Sequence, residues 1–428
     1  MVPGCAGTPR RRVLDAVDAR QSTQALRAYE IFRREEEPDG ALLARVAALM
    51  LEDAALGDET RLRDAALSQL ALAGTAGEAS LQMISRKPGH DVARAKSLAI
   101  LAQRGDADAR RSLRGMVGHE DAEVQAAAVR VLDPHESAPA LRDALASPRG
   151  VVRAAAADAL RGAAPDDAVR TALSETARVD PEPRVRAAAV RALGAFGSSA
   201  VEAVRERLTD ADVSVRAAAV SALVSADRTA ARLALMPLLA LAPSGAGIDA
   251  ARFLARGTAE DARGIVDARA YLLRALEETD AALRVAAAIA LLSMPGDPTL
   301  TSTLARTMEH DADANVRLLL ACALVRPGGE SGSSGEVRAK ATLRALLEAG
   351  GMVGIQAAAT LASMEDDVGA RALRAHLSDP VVAIRRVAAR ALAREGAAPD
   401  LARVALRDAD ASVRIAAAGG ILAAEAAR

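Results

Sequence analysis

Apolar residues recur along most of this chain with the spacing of a helix. In Val185-Arg186-Ala187-Ala188-Ala189-Val190-Arg191-Ala192-Leu193, the residues Val185, Ala188, Ala189, Ala192 and Leu193 stand at i, i+3, i+4, i+7 and i+8, one stripe on one face. The phrase returns at Val215-Arg216-Ala217-Ala218-Ala219-Val220-Ser221-Ala222-Leu223. Degraded copies stand around Arg63, Arg94, Gln125, Arg153, Asp249, Arg284, Arg317, Gln356, Arg385 and Arg414. These twelve anchors follow one another at intervals of 28 to 39 residues, a period that marks a repeat architecture. Upstream of each lies a second, shorter amphipathic segment, such as 367–377. The unit is therefore helix, turn, helix. One such hairpin has nothing to cover its apolar face, so the copies are expected to stack into an all-α solenoid.

An Asp recurs in the turn, six residues before the anchor: Asp180, Asp210, Asp311, Asp379 and Asp408. Asp180-Pro181 and Asp379-Pro380 predict Asp at a helix N-cap with Pro at the first helical position. The phrase Asp-x5-Arg followed by Ala-Ala-Ala-x-Ala-Leu resembles the HEAT repeat, in the short bacterial form also seen in phycobilin lyases, over roughly residues 41 to 428. The resemblance implies a hydrogen-bonded ladder of turn Asp and second-helix Arg. Here the ladder would pair Asp180 with Arg186, Asp210 with Arg216, Asp311 with Arg317, Asp379 with Arg385 and Asp408 with Arg414. It would be interrupted at Gln125, Asp249 and Gln356, which lack the Arg.

Punctuation divides the chain into four segments. Residues 1–40 read as a tail and capping helix, with one helix over 13–34 carrying Tyr29 and Phe32. Residues 41–326 form the repeat array, 327–336 a Gly/Ser-rich surface loop, and 337–428 the C-terminal repeats. Pro243-Ser244-Gly245-Ala246-Gly247 should widen the turn of the seventh copy. Gly419-Gly420 should weaken the last helix, leaving 423–428 frayed.

Composition narrows the function. Apolar residues make up 51% of the 428, but aromatics only 1%, which disfavours a ring-lined ligand pocket. Fifty-five basic residues against 56 acidic ones exclude a polybasic nucleic-acid binder by bulk charge. Most Arg stand at the ladder position or beside Asp or Glu, as a solvated mixed-charge face would place them.

The pairs His119-Glu120 and His135-Glu136 resemble the di-iron ligands of deoxyhypusine hydroxylase, itself a HEAT-repeat enzyme. They occupy different registers of the repeat, and no His-Glu pair follows in the second half, so no metal is expected. HEAT-like alkylpurine DNA glycosylases need aromatic and basic lining that this composition lacks. No phosphate loop, nucleophile elbow or other cofactor signature is present in the sequence.

Cys322 sits in an apolar run and reads as a small buried hydrophobe. Val2-Pro3-Gly4-Cys5-Ala6-Gly7 is similar to the end of a bacterial lipoprotein signal, without the charged start and apolar stretch upstream. Either an upstream signal belongs to the gene and Cys5 is a lipidated membrane anchor, or Met1 is the true start and the protein is cytoplasmic. The sequence thus reads as a non-catalytic scaffold whose concave face binds another protein or peptide. The alternative is an enzyme or enzyme subunit of the phycobilin-lyase or hydroxylase kind.

Overall fold

The computed structural model describes residues 8–163, 166–255, 262–292, 298–325, 334–394 and 403–426. Every anchor falls inside a helix, from Thr60–Leu72 for Arg63 to Ala411–Ala426 for Arg414. In ten of the twelve the anchor is the fourth helical residue; Asp249 is the fifth and Gln356 the sixth. No strand occurs among the described residues. The architecture is an all-α solenoid of helix pairs. The helical stripe is the reason: Val185, Ala188, Ala189, Ala192 and Leu193 are all fully buried. Ala at three of those five places lets neighbouring helices approach closely while Val and Leu fill the gaps.

The described chain forms two compact units. One spans Arg111–Thr342. Its second helices stack in chain order, from Ala122–Arg130 through Gly150–Leu160, Pro183–Leu193, Val213–Ala226, Gly245–Leu254 and Ala281–Leu292 to Ala314–Leu324. The other unit joins Met1–Arg110 with Leu343–Arg428. There the stack runs Gly351–Ser363, Val382–Arg394, Ala411–Ala426, Thr60–Leu72 and Asp91–Gln103, so the last repeat of the chain packs directly on the first.

That contact revises the reading of the C-terminus. Gly419 and Gly420 lie buried in the middle of an unbroken helix that runs to Ala426. A Cβ on Gly419 would stand 2.2 Å from Oε1 of Gln69, so the residue permits the close approach of helix Thr60–Leu72. A glycine that weakens an isolated helix here serves packing.

The N-terminal segment also differs from expectation. Residues 13–34 are not one helix: Pro9–Asp18 and Ser22–Glu35 are separated by a sharp turn at Arg20, whose φ is +58°. The Gln21 amide donates to the Ala16 carbonyl, the six-to-one bond that closes a helix end, and Arg20 reaches Glu52. Glu30, 9% exposed on helix Ser22–Glu35, is held by Arg403 and Arg407 of the last repeat. These helices therefore lie against the seam between the first and last repeats.

Glu30→Gln removes the charge that both guanidiniums share. Because Arg407 is half-exposed, the cost should be about 1–3 kcal/mol rather than that of a fully buried pair. Chemical denaturation followed by circular dichroism reads this directly.

Candidate functional site

The most regular polar construction in the molecule is the row of interhelix turns. It is built from two acidic positions. Asp210 ends one helix and its Oδ1 accepts the Asp212 amide at 2.9 Å. Asp212 in turn N-caps helix Val213–Ala226, accepting the Ser214 amide at 2.8 Å. Asp311 with Asp313 and Asp408 with Asp410 repeat the arrangement. In the turn of Asp180 the second position is Glu182, whose amide Asp180 accepts at 2.9 Å. Neither Asp180 nor Asp379 is an N-cap: helix Pro183–Leu193 has Glu182 there, and helix Val382–Arg394 begins three residues after Asp379. The second acidic residue, two positions on, was the sequence signal for this division of labour.

The turn Asp bonds the Arg of the preceding repeat, not of its own. Arg153 grips Asp180 with Nε at 2.7 Å and Nη2 at 3.0 Å. Arg186 grips Asp210 at 3.0 and 2.8 Å, Arg284 grips Asp311 at 3.0 and 3.3 Å, and Arg385 grips Asp408 at 2.6 and 3.0 Å. The remaining nitrogen, Nη1, turns back to its own repeat: Arg186 Nη1 donates to the Asp180 carbonyl at 3.0 Å and Arg385 Nη1 to the Asp379 carbonyl at 2.8 Å. One planar guanidinium thus fastens two turns, a task Lys cannot perform with a point charge. The pairs Asp180/Arg186, Asp210/Arg216, Asp311/Arg317, Asp379/Arg385 and Asp408/Arg414 meet only through the Asp backbone carbonyl.

A rung needs both residues, and several repeats supply one. Pro88, His119 and Pro243 stand where Arg63, Arg94 and Arg216 would find a carboxylate. In all three Arg the Nε is buried without a hydrogen-bond partner. Gly350 stands in the position that would serve Arg317. Asp379 lacks a rung Arg, since Gln356 precedes it, and instead lies 3.0 Å from Nδ1 of His376. At Pro243 the Tyr271 hydroxyl substitutes for the missing carboxylate: it accepts the Ser244 amide at 2.9 Å and donates to the Ala242 carbonyl at 3.1 Å. Asp249, in the anchor position itself, is pushed up by burial despite Arg252 and Arg216 nearby.

The rungs at Asp180, Asp210 and Asp408 hold their carboxylates ionised. Burial opposes ionisation of Asp180, but the Arg153 guanidinium and the Glu182 amide outweigh it and hold the carboxyl below its ordinary range. Arg186 with the Asp212 amide does the same for Asp210, and Arg385 with the Asp410 amide for Asp408.

The other candidate residues are dispersed. His119 Nδ1 accepts the Asp121 amide at 3.0 Å, and His135 gives its amide to Asp133 at a separate helix start. Among the described residues no group of three or more His, Cys, Asp or Glu is placed to hold a metal ion. Cys322 is half-buried rather than fully enclosed. Cys5 and residues 327–333 of the Gly/Ser-rich segment lie outside the described residues, while 334–336 open helix Ser334–Ala349. No described helix is long and apolar enough to cross a membrane.

A cavity of about 720 Å³ lies at the seam of the first and last repeats, lined by Leu26, Met50, Leu406 and Ile415 and by the charged groups of Arg27, Asp53, Asp408 and Arg414. It was invisible in the sequence because its walls come from opposite ends of the chain.

Stacked two-helix repeats joined by an Arg–Asp ladder define an α-solenoid. The family model for HEAT repeats matches residues 77–161 and 169–254, so the chain carries HEAT repeats. Among solved structures it is similar to a Kap121p mutant (14% identity, 90% of this chain and 49% of that one, TM-score 0.34). It is also similar to UNC-45 from Drosophila melanogaster (13% identity, 96% of this chain and 76% of that one, TM-score 0.35). A third is Kap95p, from a study of its binding to RanGDP (14% identity, 90% of this chain and 70% of that one, TM-score 0.32). The chain spans about half the length of the Kap121p structure. No curated protein matches it.

Arg186→Ala should cost about 3 kcal/mol, because it strands Asp210 in a site only 7% exposed. Arg216→Ala, with no hydrogen-bonded carboxylate to strand, should cost about 1 kcal/mol. Urea titrations of the two variants distinguish these values.

The depressed rung carboxylates also set an acid limit. Their stabilisation is whole above about pH 4, the ordinary aspartate value, and is lost as the pH falls through their lower folded-state values. The stability gap between the protein and Asp210→Asn should therefore be constant from neutral pH to about 4 and close below it.

Proposed function

We propose that this protein is a non-catalytic scaffold that binds an extended segment of another protein along the turn edge of its repeats. The observation that carries the reading is a set of exposed aliphatic side chains in the turn regions of consecutive repeats: Val179 at 53%, Val213 at 60% and Leu241 at 60% exposed. The Arg186–Asp210 rung fastens the turns that carry Val179 and Val213 to each other. Arg216, bonded to the Asp210 and Ala211 carbonyls, would lie 2.7 Å from a Cβ on Gly245, which brings in the turn of Leu241.

Stacked helices repeat at about 8–10 Å. A peptide in the polyproline II conformation presents an equivalent side chain every three residues, about 9 Å. An extended partner with an aliphatic residue at about every third position suits repeats stacked at that spacing. HEAT-repeat solenoids offer such surfaces by construction, since each repeat adds one more contact of the same kind. The competing reading, a lyase or hydroxylase subunit, has no comparable observation in its favour.

Tagged protein captured from its native cells should retain a partner that cross-links to the turns around Val213 and Leu241. Val213→Glu with Leu241→Glu should abolish that capture and leave the melting temperature within about a degree or two, as exposed substitutions do. Stoichiometric iron or a visible chromophore in the purified protein overturns the scaffold reading in favour of the enzymatic one.

A further inference from the structure

The seam cavity contains half of a rung. Arg414 occupies the fourth position of its helix, as the complete-rung Arg residues do, and its Nη1 donates to the Asp408 and Ala409 carbonyls at 2.7 and 2.8 Å. That reproduces Arg385, whose Nη1 lies 2.8 and 3.2 Å from the Asp379 and Pro380 carbonyls. Arg385 spends its other edge, Nε and Nη2, on Asp408. The repeat that packs on Arg414 is the first, and its corresponding position is Gly57, six residues before Arg63. Gly57 has no side chain to give. Among the described residues no carboxylate bonds Arg414, and the residue lines the cavity.

We propose that this cavity binds an acidic peptide of a partner protein, whose aspartate carboxylate takes the Nε and Nη2 edge of Arg414 and completes the rung. The charges on its walls favour one carboxylate. Arg407 is held by Glu30 and Asp408 by Arg385, so the groups left for a ligand are Arg414, the exposed Arg27 and Asp53. Two cations against one anion attract a single carboxylate and resist a dense acidic run. The apolar wall asks for an aliphatic residue beside it, from Leu26, Met50, Leu406 and Ile415. The chain's own turns have that form: Leu208, Leu377 and Leu406 each stand two residues before a turn Asp. The volume suits several residues rather than a lone acid, lying in the range of ordinary ligand pockets. This site lies in a different unit from the turn row of Val213, so each stands without the other.

The test uses the full chain and a blocked pentapeptide, acetyl-Leu-Thr-Asp-Ala-Asp-amide, which copies residues 208–212. Isothermal titration should show one site with an affinity in the micromolar range. Replacing the first Asp of the peptide by Asn, or Arg414→Lys in the protein, should weaken it tenfold or more, because the bidentate geometry is lost. Arg27→Ala, at an exposed residue that folding does not need, should weaken it several-fold. Arg216→Lys, at the half-rung beside Pro243, should leave it unchanged. No binding at millimolar peptide, or binding indifferent to both Arg414→Lys and Arg27→Ala, overturns the proposal. Free aspartate bound as tightly as the pentapeptide also overturns it, assigning the site to a small acid.

Discussion

The fold depends on a guanidinium that belongs to two repeats at once. Ala-rich helix faces pack closely but carry little relief, so a stack of them has few features to fix how far one pair slides along the next. The rung supplies that information. Arg186 binds the Asp180 carbonyl of its own turn and both oxygens of Asp210 in the next, and the planar fork admits only one relative placement. Apolar burial provides the driving force and the rung sets the register. The two are separable, which is why repeats with half a rung still stack.

Half-rungs show how the construction tolerates loss. Where Pro243 removes the carboxylate, Tyr271 reaches into the turn with a hydroxyl that serves the Ser244 amide and the Ala242 carbonyl. The turn keeps its backbone satisfied, although Arg216 keeps a buried Nε without an acceptor. Where Gln356 removes the Arg, Asp379 turns to His376 and to the Val381 amide. The backbone role of the turn residue is thus preserved more faithfully than its role between repeats. A turn amide left bare costs folding of the hairpin itself, whereas a missing rung loosens only one interface.

The repeat and the helical register were legible because each rests on local spacing. An apolar stripe at i, i+3, i+4, i+7 specifies both the helix and its buried side, and ten anchors at the fourth helical position follow from it. The partner of each Arg was not legible, since residues six apart in the chain look nearer than residues 23 to 27 apart, and only stacking brings Asp210 to Arg186 or Asp180 to Arg153. A missing Arg signals an interruption at Gln125, Asp249 and Gln356, yet Pro88, His119 and Pro243 also break rungs from the acidic side. Helix Ala411–Ala426 departs from its local sequence signal for a related reason. Gly419-Gly420 lowers helix propensity locally, and nothing nearby in the sequence announces that Gln69 will press against it.

The seam between the last and first repeats joins these threads. It has the apolar contact of the other stacks in its unit but not the rung that joins Arg385 to Asp408 beside it, because Gly57 stands where the Asp would be. Its polar fastening comes from a different place: Glu30, on a helix outside the repeat pattern, with Arg403 and Arg407. Moving the ion cluster off the turn edge leaves the Arg414 fork and the space around it open while the interface stays fixed. A stack of identical rungs offers a ligand no guanidinium that is not already engaged. One repeat boundary fastened by other means provides such a group on a rigid support, and rigidity is what a binding fork requires, since its selectivity lies in geometry rather than in charge.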